Sequence, residues 1–138
     1  MSTEAIVREY MECFNSRSWD RYREMLHSEY SYTGGDGQQM NGPEAGLAVA
    51  QMFAGAMSDA KISVKSVHVA GDTAAVEFIG SGTHDGDFQG IAPSGRKVTM
   101  PVCDVVEVRD GKIYAEREYM DMAHLMQQIG ALPAPATA

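Results

Sequence analysis

The sequence predicts an α+β fold, with N-terminal helices packed on the concave face of a cone-shaped, curved antiparallel sheet. Three observations carry this. Helical periodicity dominates the first third of the chain and period-2 alternation dominates the rest. The longest alternating run is followed by an Asp-Gly turn and a second strand. A short amphipathic segment then closes the chain before a Pro/Ala-rich end. Helices first and strands second is the pattern of an α+β domain whose helices lie on one sheet face.

Taken in order, Ser2 or Thr3 caps a first helix, with Ile6, Val7, Tyr10, Met11 and Phe14 on one apolar stripe. Ser18 opens a short second helix reaching to Leu26, with Trp19 and Tyr22 turned inward. A brief strand, Tyr30-Ser31-Tyr32, leads into a Gly-rich loop from Thr33 to Gly42. Pro43 suits the first turn of a third helix running to about Met57, with Leu47, Met52 and Phe53 on its buried side. Its Ala and Gly content predicts either close packing or a weak helix. Strands follow over 61–69 and 73–79, separated by a turn at Gly71-Asp72. Residues 80–95 read either as a bulged strand or as a long connection. Met122 to Ile129 forms a closing helix stopped by Gly130. One domain over 1–132 and a disordered tail over 133–138 complete the expectation.

Composition narrows the function. The chain has 138 residues, 44% of them hydrophobic, which suits a globular domain with a real core. A formal net charge of −8 disfavours a nucleic-acid partner, and no basic run would bind a membrane surface. No apolar run approaches the ~18 residues of a membrane span, and the first ten residues lack a secretory pattern. The expected location is cytoplasmic. Cys13 and Cys103 have no metal-type spacing and read as free thiols.

The chemistry concentrates in residues 98–121. Val98, Met100, Val102, Asp104, Val106 and Val108 form an apolar face interrupted by one carboxylate. A buried carboxylate is costly unless paired, hydrogen-bonded or protonated. Two turns fit the sequence that follows. A two-residue type I′ turn at Asp110-Gly111 pairs 108 with 113 and sets Asp104 opposite Arg117, a structural ion pair. A three-residue loop, Arg109-Asp110-Gly111, pairs 108 with 112 and brings Asp104, Glu116 and Glu118 onto one face with Val102. In that register three carboxylates crowd together, and at least one must hold its proton to higher pH. Such a group suits general acid–base chemistry.

Three further stretches carry a resemblance. Gly82-Thr83-His84-Asp85-Gly86, running on through Pro93-Ser94-Gly95-Arg96, is one. Val108-Arg109-Asp110-Gly111-Lys112-Ile113 is the second, and Glu116-Arg117-Glu118-Tyr119-Met120-Asp121 followed by Leu125-Met126-Gln127-Gln128-Ile129-Gly130 is the third. In this order they resemble the SnoaL-like polyketide cyclase (ester cyclase) family of the nuclear transport factor 2-like superfamily. The resemblance implies an intramolecular aldol closure that needs no metal or organic cofactor. It places Glu118 where the family has its acid–base aspartate. Asp104 and Glu116 fall at two family histidines, Tyr32 at an asparagine and Val102 at a glutamine. The resemblance thus favours the three-residue loop register. It also implies a small-molecule ligand and a homodimer formed through the outer sheet face.

The candidate catalytic residues are therefore Glu118 and Asp104. Glu116, His84, Tyr32, Val102 and Met120 are candidates for substrate binding, and no metal is expected. The expected function is a cofactor-independent cyclase or isomerase acting on an apolar carbonyl compound. A non-catalytic small-molecule-binding or dimerisation module of the same fold is the alternative. Residues 77–80, Glu-Phe-Ile-Gly, lack the Arg-x-Asp that epoxide-opening relatives carry.

Overall fold

A computed structural model describes residues 1–133. The predicted tail thus lies, from 134 onward, outside the described residues. Four helices and six strands follow in the order α1 (Thr3–Asn15), α2 (Trp19–Glu24), β1 (Leu26–Thr33), β2 (Gln39–Asn41), α3 (Pro43–Ala56), β3 (Lys61–Ala70), β4 (Thr73–Thr83), β5 (Lys97–Arg109), β6 (Lys112–Met120) and α4 (Met122–Gln128). The strands form one curved, unclosed sheet in the order β2-β1-β6-β5-β4-β3. No described helix is long and apolar enough to cross a membrane.

The helices form where the sequence places their signals. Ser2 caps α1, its hydroxyl accepting from the Ala5 N–H. The predicted stripe Ile6, Val7, Tyr10, Met11 and Phe14 is buried against the sheet. Pro43 opens α3, whose buried positions are the small residues Gly46, Ala50 and Ala56. Leu47, Met52 and Phe53, predicted on the buried side, pack against the core but are only half-buried. Small residues win because α3 lies tight on β1: a Cβ at Gly46 would collide with the Tyr30 ring and come within 2.9 Å of Leu26 Cδ1. Asp121 caps α4 by accepting from the His124 N–H.

Three expectations about strands need correction. β1 begins at Leu26, so Leu26 belongs to a strand and not to the second helix. The Gly-rich loop contains β2, a three-residue strand that pairs with the end of β1. The sheet is also not wholly antiparallel, since β1 runs parallel to β6 from Leu26↔Ile113 to Thr33↔Arg117. Both strands start at the same end of the sheet, β1 straight out of α2 and β6 straight out of the 109–112 turn. Residues 80–95 combine both predicted forms: β4 continues to Thr83, and a connection with a single Phe88↔Ile91 bridge follows.

The β5–β6 hairpin decides the site. Asp110 and Gly111 have φ values of 55° and 72°, so the turn has the two left-handed residues of a type I′ turn, and Val108 pairs with Ile113. The three-residue loop is therefore not formed. One step further the register shifts: Glu107 pairs with Ala115, and Tyr114 is an extra residue. That bulge moves every later side chain of β6 to the opposite face. Val106 now meets Glu116, Asp104 meets Glu118 and Val102 meets Met120. Residues 102, 104, 116 and 118 do share one face, as the resemblance implied, but by a bulge and with pairings two residues displaced. Arg117 is on the outer face, paired with Glu107 and not with Asp104. Tyr114 is gripped at its bulge by the Arg109 guanidinium, 3.8 Å over its ring, and by the edge of His27.

Candidate active site

A cavity opens between the helices and the concave face of the sheet, with an empty volume of about 840 Å³ including its mouth. Phe14, Phe53, Phe78, Met100, Val102 and Met120 give it apolar walls. Asp104, Glu116 and Glu118 provide its acidic patch, with hydroxyls from Tyr10, Tyr22, Tyr30 and Tyr32 around them. Lys61 is the one cationic lining residue.

Each carboxylate reaches this patch by a different local cause. Asp104 sits on the buried side of β5 because it keeps the even-numbered phase of Val98, Met100, Val102 and Val106, all buried. Glu116 and Glu118 reach it because of the Tyr114 bulge on β6. One oxygen from each of the three lies within 4.8 Å of the others. They are the one grouping among the described residues that offers a cation such a set of oxygens. Tyrosine hydroxyls complete their surroundings.

The hydroxyls are shared unequally. Glu116 Oε1 accepts from Tyr10 Oη at 2.6 Å and from Tyr30 Oη at 2.7 Å. Tyr10 has spent its one proton there, so the 2.6 Å contact between Tyr10 and Tyr22 has Tyr22 donating. Glu118 Oε1 accepts from Tyr32 at 2.8 Å. Asp104 is 2% exposed, and no hydroxyl, amide or guanidinium donates to its Oδ1. What is left for it is a proton shared with its neighbours.

Titration follows from this. Burial first, then the charges of Glu118 and Glu116, push the Asp104 carboxyl well above the usual aspartate range. Burial, then the Glu116 charge, lift Glu118 to about 7 against the opposing hydrogen bonds from Asp104 and Tyr32. Burial beside these acids also raises the four tyrosines, so their hydroxyls stay protonated as donors. The arrangement supplies two neighbouring carboxyls that both hold their protons above the usual range in a largely apolar cavity. That pairing is what proton abstraction next to a carbonyl requires.

A family model described as SnoaL-like polyketide cyclase matches residues 4–129. The chain belongs to the SnoaL-like polyketide cyclase family. Two relatives of this family are aklanonic acid methyl ester cyclases. AcmA of Streptomyces galilaeus is 27% identical over 135 residues, covering 96% of this chain and 93% of the relative. DnrD of Streptomyces peucetius is 27% identical over 134 residues, covering 94% and 92%. Among solved structures, a SnoaL-like protein from Jannaschia sp. CCS1 superposes with a TM-score of 0.87 at 24% identity, over 95% of this chain and 93% of that one. IdmH from Streptomyces antibioticus superposes with a TM-score of 0.82 at 24% identity, over 94% and 99%. These likenesses show the SnoaL-type fold, and family membership supports a cyclase or isomerase kind of activity.

Of the residues predicted to form the site, Asp104, Glu116, Glu118, Tyr32, Val102 and Met120 all line the cavity. His84 is not among the residues that line it. It is 1% exposed, and its Nδ1 accepts from the Ser94 N–H and the Ser94 hydroxyl at 3.2 and 2.9 Å. Its backbone N–H donates to Arg96 and its carbonyl accepts from Gly95. The histidine thus pins the 84–96 connection through Nδ1, while its buried Nε2 has no partner among the described residues. Tyr10, Tyr22 and Tyr30 were expected only as packing or strand residues. Their signal was available: a core tyrosine needs a partner for its hydroxyl. Four tyrosines in the first 32 residues point to an acceptor that the helices themselves do not supply.

Proposed function

We propose that this protein is a cofactor-independent acid–base enzyme that cyclises or isomerises an apolar carbonyl compound in the concave cavity. The observation that carries the reading is the unpartnered Oδ1 of Asp104, directly opposite Glu118 at an acidic patch in otherwise apolar walls. Ionised Glu118 removes a proton alpha to the carbonyl. The Asp104 hydroxyl donates a hydrogen bond to the carbonyl oxygen and stabilises the enolate as charge develops. In an aldol closure the enolate carbon attacks a second carbonyl of the same molecule. The new alkoxide takes the proton that Glu118 collected, so the site returns to its starting protonation. The curated relatives AcmA and DnrD act, by their names, on a methyl ester of aklanonic acid. An uncharged ester or ketone also suits a cavity whose inner polar groups are acids.

The test is turnover of a panel of polyketide-like esters and ketones in the presence of a chelator. Wild type is expected to turn over at least one of them, and Glu118→Gln and Asp104→Asn each to lose about 10²–10⁴-fold. No turnover by wild type, or equal turnover by Glu118→Gln, sinks the reading in favour of a binding module. A homodimer through the outer sheet face belongs to the same proposal. Tyr119, 57% exposed and paired with Cys103 on that face, supports it, and light scattering decides it.

A further inference from the structure

We infer that Glu116 is the positioning residue of this site: a carboxylate fixed by two tyrosines, whose standing negative charge obliges Asp104 and Glu118 to hold a proton between them. The inference rests on the acid–base reading above and assigns Glu116 a part other than substrate binding.

The geometry separates Glu116 from its two neighbours. It is 6% exposed, and one of its oxygens takes two short hydroxyl donors, where Glu118 takes one and Asp104 Oδ1 takes none. Hydrogen bonds donated to a carboxylate favour its charged form. The donors come from different elements, Tyr10 from α1 and Tyr30 from β1, and both are buried. Tyr22 on α2 donates onward to Tyr10, so a chain of two hydroxyl groups ends on Glu116 beside the separate donor Tyr30. Behind Tyr30, Gly46 leaves no space for the ring to retreat.

The groups facing the patch are Tyr10 from α1, Tyr22 from α2, Tyr30 and Tyr32 from β1, Asp104 from β5, and Glu116 and Glu118 from β6. Among the described residues, no arginine, lysine or histidine forms an ion pair with any of the three acids. Lys61 from β3 also lines the cavity but makes no ion pair with these acids, so a charge settled on Glu116 acts on both other carboxyls at a separation of a few ångströms. In a low-dielectric cavity such a repulsion amounts to more than a unit of titration. The cheapest escape is for Asp104 and Glu118 to keep one proton jointly. Glu116 then tunes the base without touching the substrate.

The experiment follows the Glu118 carboxyl by carbon-13 NMR across pH, in wild type, in Glu116→Gln and in a Tyr10→Phe/Tyr30→Phe double variant. In wild type the midpoint is expected at about 7. Glu116→Gln is expected to lower it by about one unit or more. The double variant leaves every acid in place and withdraws only the donors that settle the charge at position 116, and the Glu118 midpoint is expected to fall there too. It also keeps the test open should Glu116→Gln fail to fold. A merely structural role for Glu116 would lower thermal stability in both variants and leave the Glu118 midpoint unchanged, and that result overturns the inference. The titration needs no substrate, so a lack of turnover defeats the proposed enzyme activity without bearing on this measurement.

Discussion

Asp104 stands directly opposite Glu118 across the β5–β6 ladder, and both face the cavity. Directly opposed side chains on adjacent strands lie close enough for like charges to destabilise the pair. The hairpin achieves this with one extra residue. Without the Tyr114 bulge the type I′ turn would set Asp104 against Arg117, an ordinary ion pair on an ordinary sheet. With it, the cation goes to the outer face and an acid takes its place.

The acid patch should therefore cost stability at neutral pH. Glu118 ordinarily titrates near 4.5 and is lifted to about 7 in the fold. Its folded-state value is raised, so its contribution is fully present below about 4.5 and is lost as pH rises toward 7. Asp104, shifted in the same direction, extends the loss upward. Glu118→Gln is expected to be more stable than wild type above pH 7, by roughly 2 kcal/mol, and Asp104→Asn to be more stable in the same direction. Below pH 4.5 that gain should vanish. Thermal melts at pH 4 and pH 8 check this, and a variant less stable than wild type at pH 8 contradicts it.

Tyr32 should act on the same base in the opposite sense to Glu116. Its hydroxyl donates to Glu118 at 2.8 Å and holds the base down, where the Glu116 charge lifts it. Tyr32→Phe keeps the ring and removes the donor. The Glu118 midpoint is expected to move up by about half a unit to one unit. The acid limb of kcat/KM should move with it, with rates near pH 7 falling and rates at high pH largely retained. A pH–rate profile of the variant beside wild type reads the shift. A uniform drop at every pH would make Tyr32 a packing residue.

Much of this was legible in residues 98–121. The alternation of Val98, Met100, Val102 and Val106 fixed the buried phase of β5 and with it the position of Asp104. The bulge was not legible. Ile113-Tyr114-Ala115 alternates as any strand does, and the contacts Tyr114 makes with Arg109 and His27 at the bulge exist only after folding. The shared face of 102, 104, 116 and 118 was reached through the resemblance, by way of a turn the chain does not make. The parallel β1–β6 pairing was hidden for a similar reason. His27-Ser28-Glu29 carries no strand pattern, and β1 is held by its neighbours β6 and α3. His84 holds a motif position outside the cavity lining, where its Nδ1 is engaged by Ser94. The tyrosines were visible one by one, but their convergence on Glu116 spans 106 residues for Tyr10 and 86 for Tyr30.

Gly46 links packing to the site most directly. It lies on the buried side of α3 against Tyr30, and a Cβ there would collide with the Tyr30 ring while pressing on Leu26. Helix propensity alone favours alanine over glycine by about 1 kcal/mol. Overpacking opposes it with a cost of about 1–3 kcal/mol. The collision should win, because the obstacle is a ring and not the far end of a flexible chain. Gly46→Ala is therefore expected to lower the melting temperature and to push the Tyr30 hydroxyl off Glu116. The second effect should appear as a fall in the Glu118 midpoint, smaller than that of Glu116→Gln because Tyr10 still donates. Combining Gly46→Ala with Tyr30→Phe separates the two. With the hydroxyl already absent, the glycine substitution should still cost stability and should leave the Glu118 midpoint where Tyr30→Phe put it.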